Sequence, residues 1–317
     1  MTTALVTGAS GFAGAHLVKE LSSRGVSVVA VTNHRSVDVA GVDQVKVEIT
    51  DAGAVARAVD TCEPDVVFHL AAIVDTVETP DVYRLFEVNT LGTAAIVEAV
   101  RVRGRNTRLV FASSAFAYGA VPSERLPVVE SEPLRPVTPY GASKAAAEAI
   151  IGQYSRAGGD CVVARAFTHT GPGHVGPYAL ADWGRQLAEI EAGLAPAQIA
   201  CGNLDVKRDY LDVRDVVAAY IALADEGEAG ATYNVASGVA TPMGDLLREL
   251  VDVSGVAVEL VVDRGRFRAV DQPSFYADTT KLRTSTSWQQ QFTLRETLAD
   301  LAAFWRERVA AGMSVTG

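Results

Sequence analysis

The amino-acid sequence predicts an α/β fold built on a doubly wound parallel sheet. Short apolar runs rich in Val and Ala recur along the first half of the chain, among them ALVTG, VSVVAVT, DVVFHLAA, RLVFASS and CVVARAF. Amphipathic helical patterns such as GAHLVKELSSRG and LGTAAIVEAVRVRG separate these runs. Continuous apolar strands that alternate with helices indicate a parallel sheet with helices on both faces.

The second half of the chain predicts a smaller lobe that is interleaved with the first. Beyond about residue 167, Gly and Pro cluster in THTGPGHVGP, and DWGRQLAEIEAG predicts a helix. The segment LDVRDVVAAYIALADEG predicts another helix of the first layer. We therefore predict one domain from residues 1–167 plus about 206–237, and a second lobe from 168–205 plus 238–317. A chain of 317 residues is long enough for two such joined units.

Composition excludes several partners and indicates a reducing compartment. The formal net charge of −10 argues against nucleic acid and against an anionic membrane. Cys62, Cys161 and Cys201 share no close spacing, so we expect reduced, mostly buried thiols of a cytoplasmic protein and no metal site. The N-terminus has no basic segment and the chain has no long apolar stretch, so neither a signal peptide nor a membrane span is expected.

The glycine-rich stretch TGASGFAG predicts a dinucleotide-binding turn. It follows the first apolar strand, opens a helix, and places Gly8, Gly11 and Gly14 at three-residue spacing. Without a Cβ, the backbone at Gly8 and Gly11 can approach a pyrophosphate at the helix N-terminus, and Gly14 lets the helix pack closely on the sheet. A tight turn without a ligand is the alternative. The position in the first βα unit of a Rossmann pattern favours binding.

The end of the second strand bears on the choice of dinucleotide. An NAD site usually has an acidic residue there for the ribose 2′-hydroxyl, whereas this chain has Thr32, Asn33, His34 and Arg35. Arg35 would pair with the 2′-phosphate of NADP, unless it is a solvated loop residue. We therefore prefer NADP to NAD.

Other contacts to the dinucleotide are expected where strand ends border its adenine and pyrophosphate. Glu48 in VEITD and the segment HLAA occupy such positions. Together with the glycines and Arg35, the predicted cofactor-binding residues are Phe12, Asn33, Glu48, Ile49, Leu70, Ala71, Ala72, Tyr140 and Lys144.

The stretch PYGASK places a phenol and an amine one turn apart on a helix. Thr138 can cap this helix and Pro139 suits its first turn, so Tyr140 and Lys144 share one face. A phenol has an ordinary pKa of about 10, and a cation within about 4–6 Å typically lowers the pKa of an acidic group by about 1–3 units. Lys144 is therefore expected to lower the pKa of Tyr140. The strand RLVFASS ends in Ser114, whose hydroxyl would lie at the carboxyl edge of the sheet.

The motifs resemble those of the extended short-chain dehydrogenase/reductase family, in its sugar-nucleotide branch. The resemblance covers nearly the whole chain and rests on TGASGFAG, HLAA, NTLGT, SSAFAYG, PYGASK, HTGPG, RDYLDVRDVV, YNVASG and Trp288. It implies a catalytic triad of Ser114, Tyr140 and Lys144. Ser114 would hold the sugar oxygen, Tyr140 would move its proton, and Lys144 would also contact the nicotinamide ribose.

Within this branch the chain is most similar to GDP-4-keto-6-deoxy-D-mannose reductases and GDP-mannose 4,6-dehydratases. The dehydratases have a Glu two residues after the catalytic serine or threonine, where this chain has Phe116. An apolar ring cannot remove a proton, so an ordinary dehydratase is disfavoured, unless Asp75 or His169 provides the base. The simple alternative for Phe116 is an apolar packing role over the nicotinamide.

The substrate implied by the resemblance is a nucleotide-diphosphate sugar. The family usually has Asn where this chain has Thr168, which puts the usual sugar in doubt. Arg208 matches a position where the family contacts the nucleotide, and Arg268 lies in the distal binding loop. Arginine forks suit pyrophosphate oxygens, and an exposed salt bridge is the alternative for each.

These observations favour an NADP-dependent reductase of a nucleotide-linked 4-keto-6-deoxyhexose. A 4-epimerase, or an unusual dehydratase that recycles its own cofactor, is the second hypothesis. A non-catalytic, cofactor-sensing regulator is the remote alternative, because such proteins commonly lose the tyrosine or the lysine that this chain keeps. The resemblance also implies a homodimer packed through the helices of GTAAIVEAVRVRG and SKAAAEAIIGQYS.

Overall fold

The computed structural model describes residues 2–74, 81–104, 107–267 and 272–313. Its strands are β1 (Thr3–Thr7), β2 (Ser27–Thr32), β3 (Asp43–Lys46), β4 (Val66–His69), β5 (Arg108–Ser114), β6 (Cys161–Ala166), β7 (Thr168–Thr170), β8 (Gln198–Cys201), β9 (Lys207–Arg208), β10 (Tyr210–Asp212), β11 (Thr232–Val235), β12 (Thr241–Pro242), β13 (Glu259–Val262) and β14 (Ser274–Phe275). Its α-helices are α1 (Phe12–Ser23), α2 (Ala52–Cys62), α3 (Val82–Phe86), α4 (Gly92–Arg103), α5 (Pro139–Arg156), α6 (Ala179–Glu191), α7 (Val213–Glu226), α8 (Met243–Ser254), α9 (Thr280–Ser285) and α10 (Leu294–Ala310).

Seven parallel strands form the central sheet, in the order β11-β6-β5-β4-β1-β2-β3. The strand order reverses between β1 and β4, because the chain leaves β3 at one edge and returns to the other side of β1. In an open α/β sheet, ligands bind in the crevice at the carboxyl ends of the strands beside such a reversal. The doubly wound parallel sheet predicted from the apolar runs is confirmed.

Helices cover both faces of this sheet, as the uninterrupted apolar strands require. On one face, Leu17 of α1 and Tyr220 of α7 are buried in a common core. On the other face, Val55 of α2, Ile96 of α4 and Ile151 of α5 form a second core. The five strands β1, β2, β4, β5 and β6 therefore contribute side chains to both apolar layers, and the carboxyl edge of the sheet is where polar groups can collect.

A third core belongs to the C-terminal half of the chain. The buried faces of α6, α8 and α10 meet there, with Trp183, Leu247 and Trp305 in the interior. Small sheets of β8 with β13, and of β9 with β12 and β14, border this core. The domain boundaries stay a prediction; β11, from the interleaved segment, is the edge strand of the large sheet.

The burial of the three cysteines and the length of the helices test the predictions of reduced thiols and of no membrane span. Cys161 and Cys201 are buried, Cys62 is half-buried, and all three are free thiols, as predicted. Among the described residues, no helix is both long enough and apolar enough to cross a bilayer.

Asp209, between β9 and β10, links this connection to the segments that follow β11 and β14. Its buried carboxylate accepts hydrogen bonds from the backbone N–H groups of Ser237 (2.8 Å), Gly238 (3.0 Å) and Ala277 (3.2 Å). The hydroxyl of Ser237 donates a fourth bond at 2.6 Å. Two separate segments, one after β11 and one after β14, therefore converge on the side chain of Asp209.

We expect Asp209→Ala to lower the free energy of unfolding by about 3 kcal/mol, because it leaves several backbone donors without their acceptor. Urea denaturation of the variant checks this. Asp205→Ala, at an exposed position just before β9, is the matched control and should leave stability nearly unchanged. Equal stability of the two variants would contradict the role of Asp209.

Candidate active site

The glycine-rich turn brings the backbone of β1 against the start of α1 and the end of β4. Gly8 has a φ of +69°, and a Cβ there would lie 2.7 Å from the backbone nitrogen of Ala71. A Cβ at Gly14 would lie 2.1 Å from the carbonyl oxygen of Gly8. Gly11 caps α1 without a side-chain hydrogen bond, so the first N–H groups of α1 are offered by backbone alone. This cradle, which side chains would fill, fits the pyrophosphate of a dinucleotide.

Leu70, Ala71 and Ala72 continue β4 alongside this turn. The N–H of Leu70 donates to the carbonyl of Thr7 at 3.2 Å, and the N–H of Ala71 donates to the hydroxyl of Thr7 at 3.2 Å. The HLAA segment therefore lies at the strand-order reversal, beside Gly8. The structure brings together these two parts of the predicted cofactor site.

The residues predicted at the adenosine end form a polar cluster that includes one residue missed in the sequence. The amide of Asn33 donates to Glu48 at 2.7 Å. Arg84 of α3 pairs with Glu48 at 3.2 Å and with Glu87 at 2.7 Å. Arg35 is exposed at the end of β2. Arg35 is thus an exposed cation at this end of the crevice, whereas the charge of Arg84 is paired with two carboxylates.

Ile49 is buried between the adenosine end and the start of α4. A Cβ at Gly92 would lie 3.0 Å from the side chain of Ile49, so the helix closely approaches the segment that follows β3. Ile49 can form an apolar floor of the cofactor crevice.

Ser114, Tyr140 and Lys144 meet at the carboxyl end of β5. Thr138 caps α5 by accepting a hydrogen bond from the N–H of Gly141 at 3.1 Å, and Pro139 is the first residue of the helix, as predicted. Tyr140 and Ser114 share a side-chain hydrogen bond. The Lys144 ammonium is almost fully buried (2% exposed) and lies 4.5 Å from the centre of the Phe111 ring.

The ionisation of Tyr140 differs from the prediction. Burial raises the pKa of Tyr140 to about 12, and the hydrogen bond with Ser114 offsets only part of this rise. Burial also lowers the pKa of Lys144 to about 8. The predicted net lowering of the Tyr140 pKa is therefore wrong, because the loss of water around the phenolate raises the pKa more than the hydrogen bond with Ser114 lowers it. At neutral pH Tyr140 is a phenol that can donate a proton.

A buried set of polar side chains fixes the first turn of α5, and the sequence analysis did not find it. Asn89 lies in a π-helical turn, Glu87–Leu91. Its amide nitrogen donates to the Ser143 hydroxyl at 2.9 Å, and that hydroxyl donates to the carbonyl of Tyr140 at 2.8 Å. The amide oxygen of Asn89 accepts from the N–H of Ile73 at 2.7 Å. The backbone that carries Tyr140 is therefore tied to the segment after β4.

His69 is a structural link beneath the site. Its Nδ1 lies 2.7 Å from the Thr7 hydroxyl and its Nε2 lies 3.0 Å from the Thr93 hydroxyl. Thr93 gives its own proton to the carbonyl of Asn89, so Nε2 of His69 is the donor and Nδ1 the acceptor. Burial, aided by the Lys144 charge, lowers the pKa of His69 to about 3, so the ring is neutral.

Phe116 lies beside the triad, whereas Thr168 and His169 lie in β7, where the His169 ring stacks on Phe12 with centroids 5.9 Å apart. Phe116 is 44% exposed, and its ring lies edge-on to Tyr140 with centroids 6.0 Å apart. Thr168 and His169 belong to β7, which starts two residues after β6 ends. Nδ1 of His169 bonds to the carbonyl of Phe167 at 3.0 Å, and burial lowers its pKa.

An aromatic column, which we define as Phe12, His174 and Tyr178, joins the glycine turn to the C-terminal half; the sequence analysis missed it. The ring of His174 stacks on Phe12 at 4.5 Å and on Tyr178 at 4.8 Å. Tyr178 caps α6 and is close enough to Tyr140 that its charge would raise the pKa of Tyr140. The column is the wall between the cofactor crevice and the C-terminal core.

Of the remaining predicted substrate residues, Arg208 lies within the described part of the chain. Nη1 of Arg208 donates to the carbonyls of Lys207 and Gln272, each at 2.8 Å, which orients its guanidinium in the C-terminal half. Asp75 and Arg268 lie outside the described residues. Within the described part of the chain, no group of three or more His, Cys, Asp or Glu side chains is arranged to hold a metal ion.

Comparison with known proteins places the chain among nucleotide-sugar enzymes. Residues 5–301 match the family model described as GDP-mannose 4,6 dehydratase. A GDP-6-deoxy-D-mannose reductase of Pseudomonas aeruginosa is 36% identical over 248 residues, which are 78% of this chain and 82% of the relative. A UDP-glucose 4-epimerase of Mycolicibacterium smegmatis is 29% identical over 96% of this chain and 98% of its own.

Two solved structures share the fold over almost the whole chain. The structure of RMD from Pseudomonas aeruginosa complexed with NADPH is 31% identical, with a TM-score of 0.87 over 97% of this chain and 100% of that one. The UDP-glucose 4-epimerase of Thermus thermophilus in complex with NAD is 29% identical, with a TM-score of 0.83 over 96% and 99%.

We expect Gly14→Ala to weaken dinucleotide binding at least about tenfold, because the added methyl group would push α1 away from the Gly8 carbonyl. Titration of NADPH fluorescence measures the change. Gly53→Ala is the matched control, since its Cβ would meet only the flexible end of Arg57 and the Asp51 carboxylate at 3.3 Å. Unchanged affinity in Gly14→Ala would contradict the cradle.

Proposed function

The chain belongs to the GDP-mannose 4,6-dehydratase family, and we propose that within it the chain reduces the 4-keto group of a nucleotide-linked 4-keto-6-deoxyhexose with NADPH. It is an NAD(P)-dependent enzyme of the short-chain dehydrogenase/reductase type that modifies a nucleotide sugar. The relative whose name is GDP-6-deoxy-D-mannose reductase supports reduction and a GDP-linked sugar.

One observation carries the choice of reduction over dehydration: the apolar ring of Phe116 lies beside Tyr140, with centroids 6.0 Å apart. The phenol keeps its proton at neutral pH because burial raises its pKa to about 12. Phe116 is the neighbour of Tyr140 at the position where the resemblance expects the glutamate of a dehydratase. The site therefore has a proton donor for a nascent alkoxide and, in place of that glutamate, a ring that accepts no proton.

The mechanism assigns one task to each side chain of the triad. When bound, NADPH supplies the hydride that adds to C4 of the sugar. The Ser114 hydroxyl orients the C4 oxygen, and Tyr140 Oη donates its proton to that oxygen as the carbonyl becomes a secondary alcohol. The Lys144 ammonium then stabilises the phenolate until a proton from solvent restores it.

The substrate-side proposals concern Thr168, Arg208 and the aromatic column. Thr168 and Phe116 would contact the sugar, and His169, whose Nδ1 is bonded to the carbonyl of Phe167, would offer Nε2 to it. Arg208, whose orientation is set by two backbone carbonyls, would contact the nucleotide. Arg268 and Asp75 remain proposed contacts on the resemblance alone.

The second candidate function is 4-epimerisation of a UDP-sugar. It is favoured by relatives named UDP-glucose 4-epimerase, which are 27–29% identical over 94–96% of this chain. An epimerase retains its dinucleotide and shows no net redox change, whereas a reductase consumes NADPH. The dinucleotide released on denaturation of the purified protein separates the two candidates.

We propose that the enzyme is a cytoplasmic homodimer that pairs through α4 and α5. Leu91 and Val102, at the two ends of α4, are exposed by 59% and 68%. They lie eleven residues apart and therefore on one side of the helix. Small residues of α5, including Ala142, Ala146 and Ala149, leave room for close helix contact. The three free thiols support a reducing compartment.

We expect the wild-type enzyme to oxidise NADPH only when GDP-4-keto-6-deoxy-D-mannose is added, and Tyr140→Phe to lower kcat by a factor on the order of 10²–10⁴ because the proton donor is lost. NADPH absorbance and mass spectrometry of the sugar product measure this. Tyr83→Phe, at an exposed tyrosine of α3, is the matched control. Absence of NADPH oxidation by the wild type would refute the reductase, and full activity of Tyr140→Phe would contradict the role of Tyr140 as proton donor.

We expect Arg35→Ala to lower kcat/KM for NADPH about tenfold or more while kcat/KM for NADH stays nearly constant. The reason is that a charge-assisted bond of about 1.5–3 kcal/mol to the 2′-phosphate is lost only with NADPH. Steady-state kinetics with both cofactors give the ratio, and Arg57→Ala, an exposed arginine of α2, is the control. An equal effect on NADH would assign Arg35 to another role.

A further inference from the structure

Glu148 lies one helical turn beyond Lys144 on α5 and is buried with it. Only 9% of Glu148 is exposed. Its carboxylate accepts hydrogen bonds from Arg165 through Nε at 3.0 Å and through Nη2 at 2.7 Å. The hydroxyl of Ser113, the residue before Ser114, donates a further short bond to the same carboxylate. Tyr140, Lys144 and Glu148 therefore form one row at four-residue spacing.

Arg165 is itself held on its remaining sides. Its Nη1 donates to the carbonyl of Glu130 at 2.9 Å, and its guanidinium lies 4.6 Å from the centre of the Tyr118 ring. The hydroxyl of Tyr118 in turn donates to Asn234 at 2.7 Å. The Glu148 carboxylate thus has a fixed position, set by β5, β6 and the loop after β5.

Stability alone is a weak reason for this buried ion pair. Replacing a buried ion pair by apolar residues of similar volume is often neutral or stabilising. The ion pair, however, lies one helical turn from Lys144, the buried amine of the triad. Burial lowers the pKa of Lys144, and the negative charge of Glu148 acts in the opposite direction.

We propose that Glu148 is a positioning residue for Lys144: clamped by Arg165 and Ser113, its carboxylate keeps the buried ammonium charged and the end of β5 in register with α5. The assignment rests on the proposed function, in which the Lys144 ammonium stabilises the phenolate. The same carboxylate bonds Ser113, so one group sets both the charge of Lys144 and the backbone that carries Ser114.

The other titratable groups around this row do not supply the same charge. His69 of β4 faces Lys144 as a neutral imidazole. Tyr140 of α5 is a neutral phenol, and burial raises the pKa of Tyr118, beside Arg165, to about 12. Glu130 contacts Arg165 through its backbone carbonyl. Glu148 is the anion whose charge acts on Lys144.

The direction in which Glu148→Gln shifts the pKa of Lys144 follows from the charges of Glu148 and Arg165. Replacing Glu148 by Gln removes the anion and leaves the Arg165 cation without its partner. Both changes disfavour the ammonium, so Lys144 should lose its proton at a lower pH than the value of about 8 in the wild type. As the pH is raised, activity that depends on the ammonium should therefore begin to fall at a lower pH in the variant than in the wild type. If Glu148 had a purely structural role, its replacement would lower activity equally at all pH values.

The test is the pH profile of kcat/KM in Glu148→Gln. We expect its alkaline limb to move to lower pH by about one unit. Glu148→Asp, which keeps the charge, should restore most of the wild-type limb. Glu249→Gln, at a surface ion pair of α8, is the matched control and should keep the wild-type profile. An unmoved limb in Glu148→Gln would overturn the proposal.

A double variant, Glu148→Gln with Arg165→Met, keeps the test decisive if the single variant does not fold. It removes the anion without leaving a buried cation unpaired, and the alkaline limb should still move to lower pH. A folded double variant with the wild-type limb would restrict Glu148 to a structural role.

A second measurement separates this inference from the proposed function. The chain has five lysines, Lys19, Lys46, Lys144, Lys207 and Lys281, so selective carbon-13 labelling at lysine Cε gives a spectrum simple enough to assign. Lys144→Met identifies the Lys144 signal. Its titration midpoint in the cofactor-free protein should fall in Glu148→Gln, whether or not the enzyme reduces a ketosugar. An unchanged midpoint overturns the role of Glu148, while a missing NADPH oxidation overturns only the reductase.

Discussion

The first turns of α5 carry polar side chains into the protein interior, and the rest of the site is arranged around the cost of burying them. Tyr140 and Lys144 lose water when the helix packs on β5, which favours the neutral form of each. The hydrogen bond with Ser114 partly offsets the rise in the pKa of Tyr140, and the charge of Glu148 partly offsets the fall in the pKa of Lys144. Burial therefore keeps Tyr140 protonated at neutral pH and lowers the pKa of Lys144 to about 8.

The position of α5 depends on polar links that run beneath the apolar layer. Asn89, in its π-helical turn, connects Ser143 with the segment after β4, and His69 connects β1 with α4. Each buried polar group in these links has a partner, as low-dielectric surroundings demand. A continuous set of hydrogen bonds therefore connects the end of β1, before the glycine turn, with the backbone of Tyr140.

The boundary between the two halves of the molecule gives the site its substrate side. The aromatic column of Phe12, His174 and Tyr178 starts at the glycine turn and ends at the cap of α6, so cofactor crevice and C-terminal core share a wall. Phe116, at the edge of Tyr140, makes the opposite side apolar. A ketosugar held between these surfaces meets a proton donor, whereas the acidic base of an elimination reaction has no counterpart at Phe116.

The sequence by itself determined the features that depend on local pattern. Apolar runs such as RLVFASS gave β5 with its full bounds, Thr138 and Pro139 gave the start of α5, and the spacing of Gly8, Gly11 and Gly14 gave the strand-to-helix turn. Strand β3 escaped detection because all four of its residues are exposed at the edge of the sheet and show no apolar run. The same local reasoning put Tyr140 and Lys144 on one face of a helix.

Only the tertiary structure decided which groups are charged and which distant residues meet. The rise in the pKa of Tyr140 reversed the sequence prediction, since spacing along a helix gives the distance between two groups but not the water that each has lost. Arg84 with Glu48, Asn89 with Ser143, and Glu148 with Arg165 are partners from separate elements. Their pairing depends on how the helices pack on the sheet, and no short stretch of sequence contains that information.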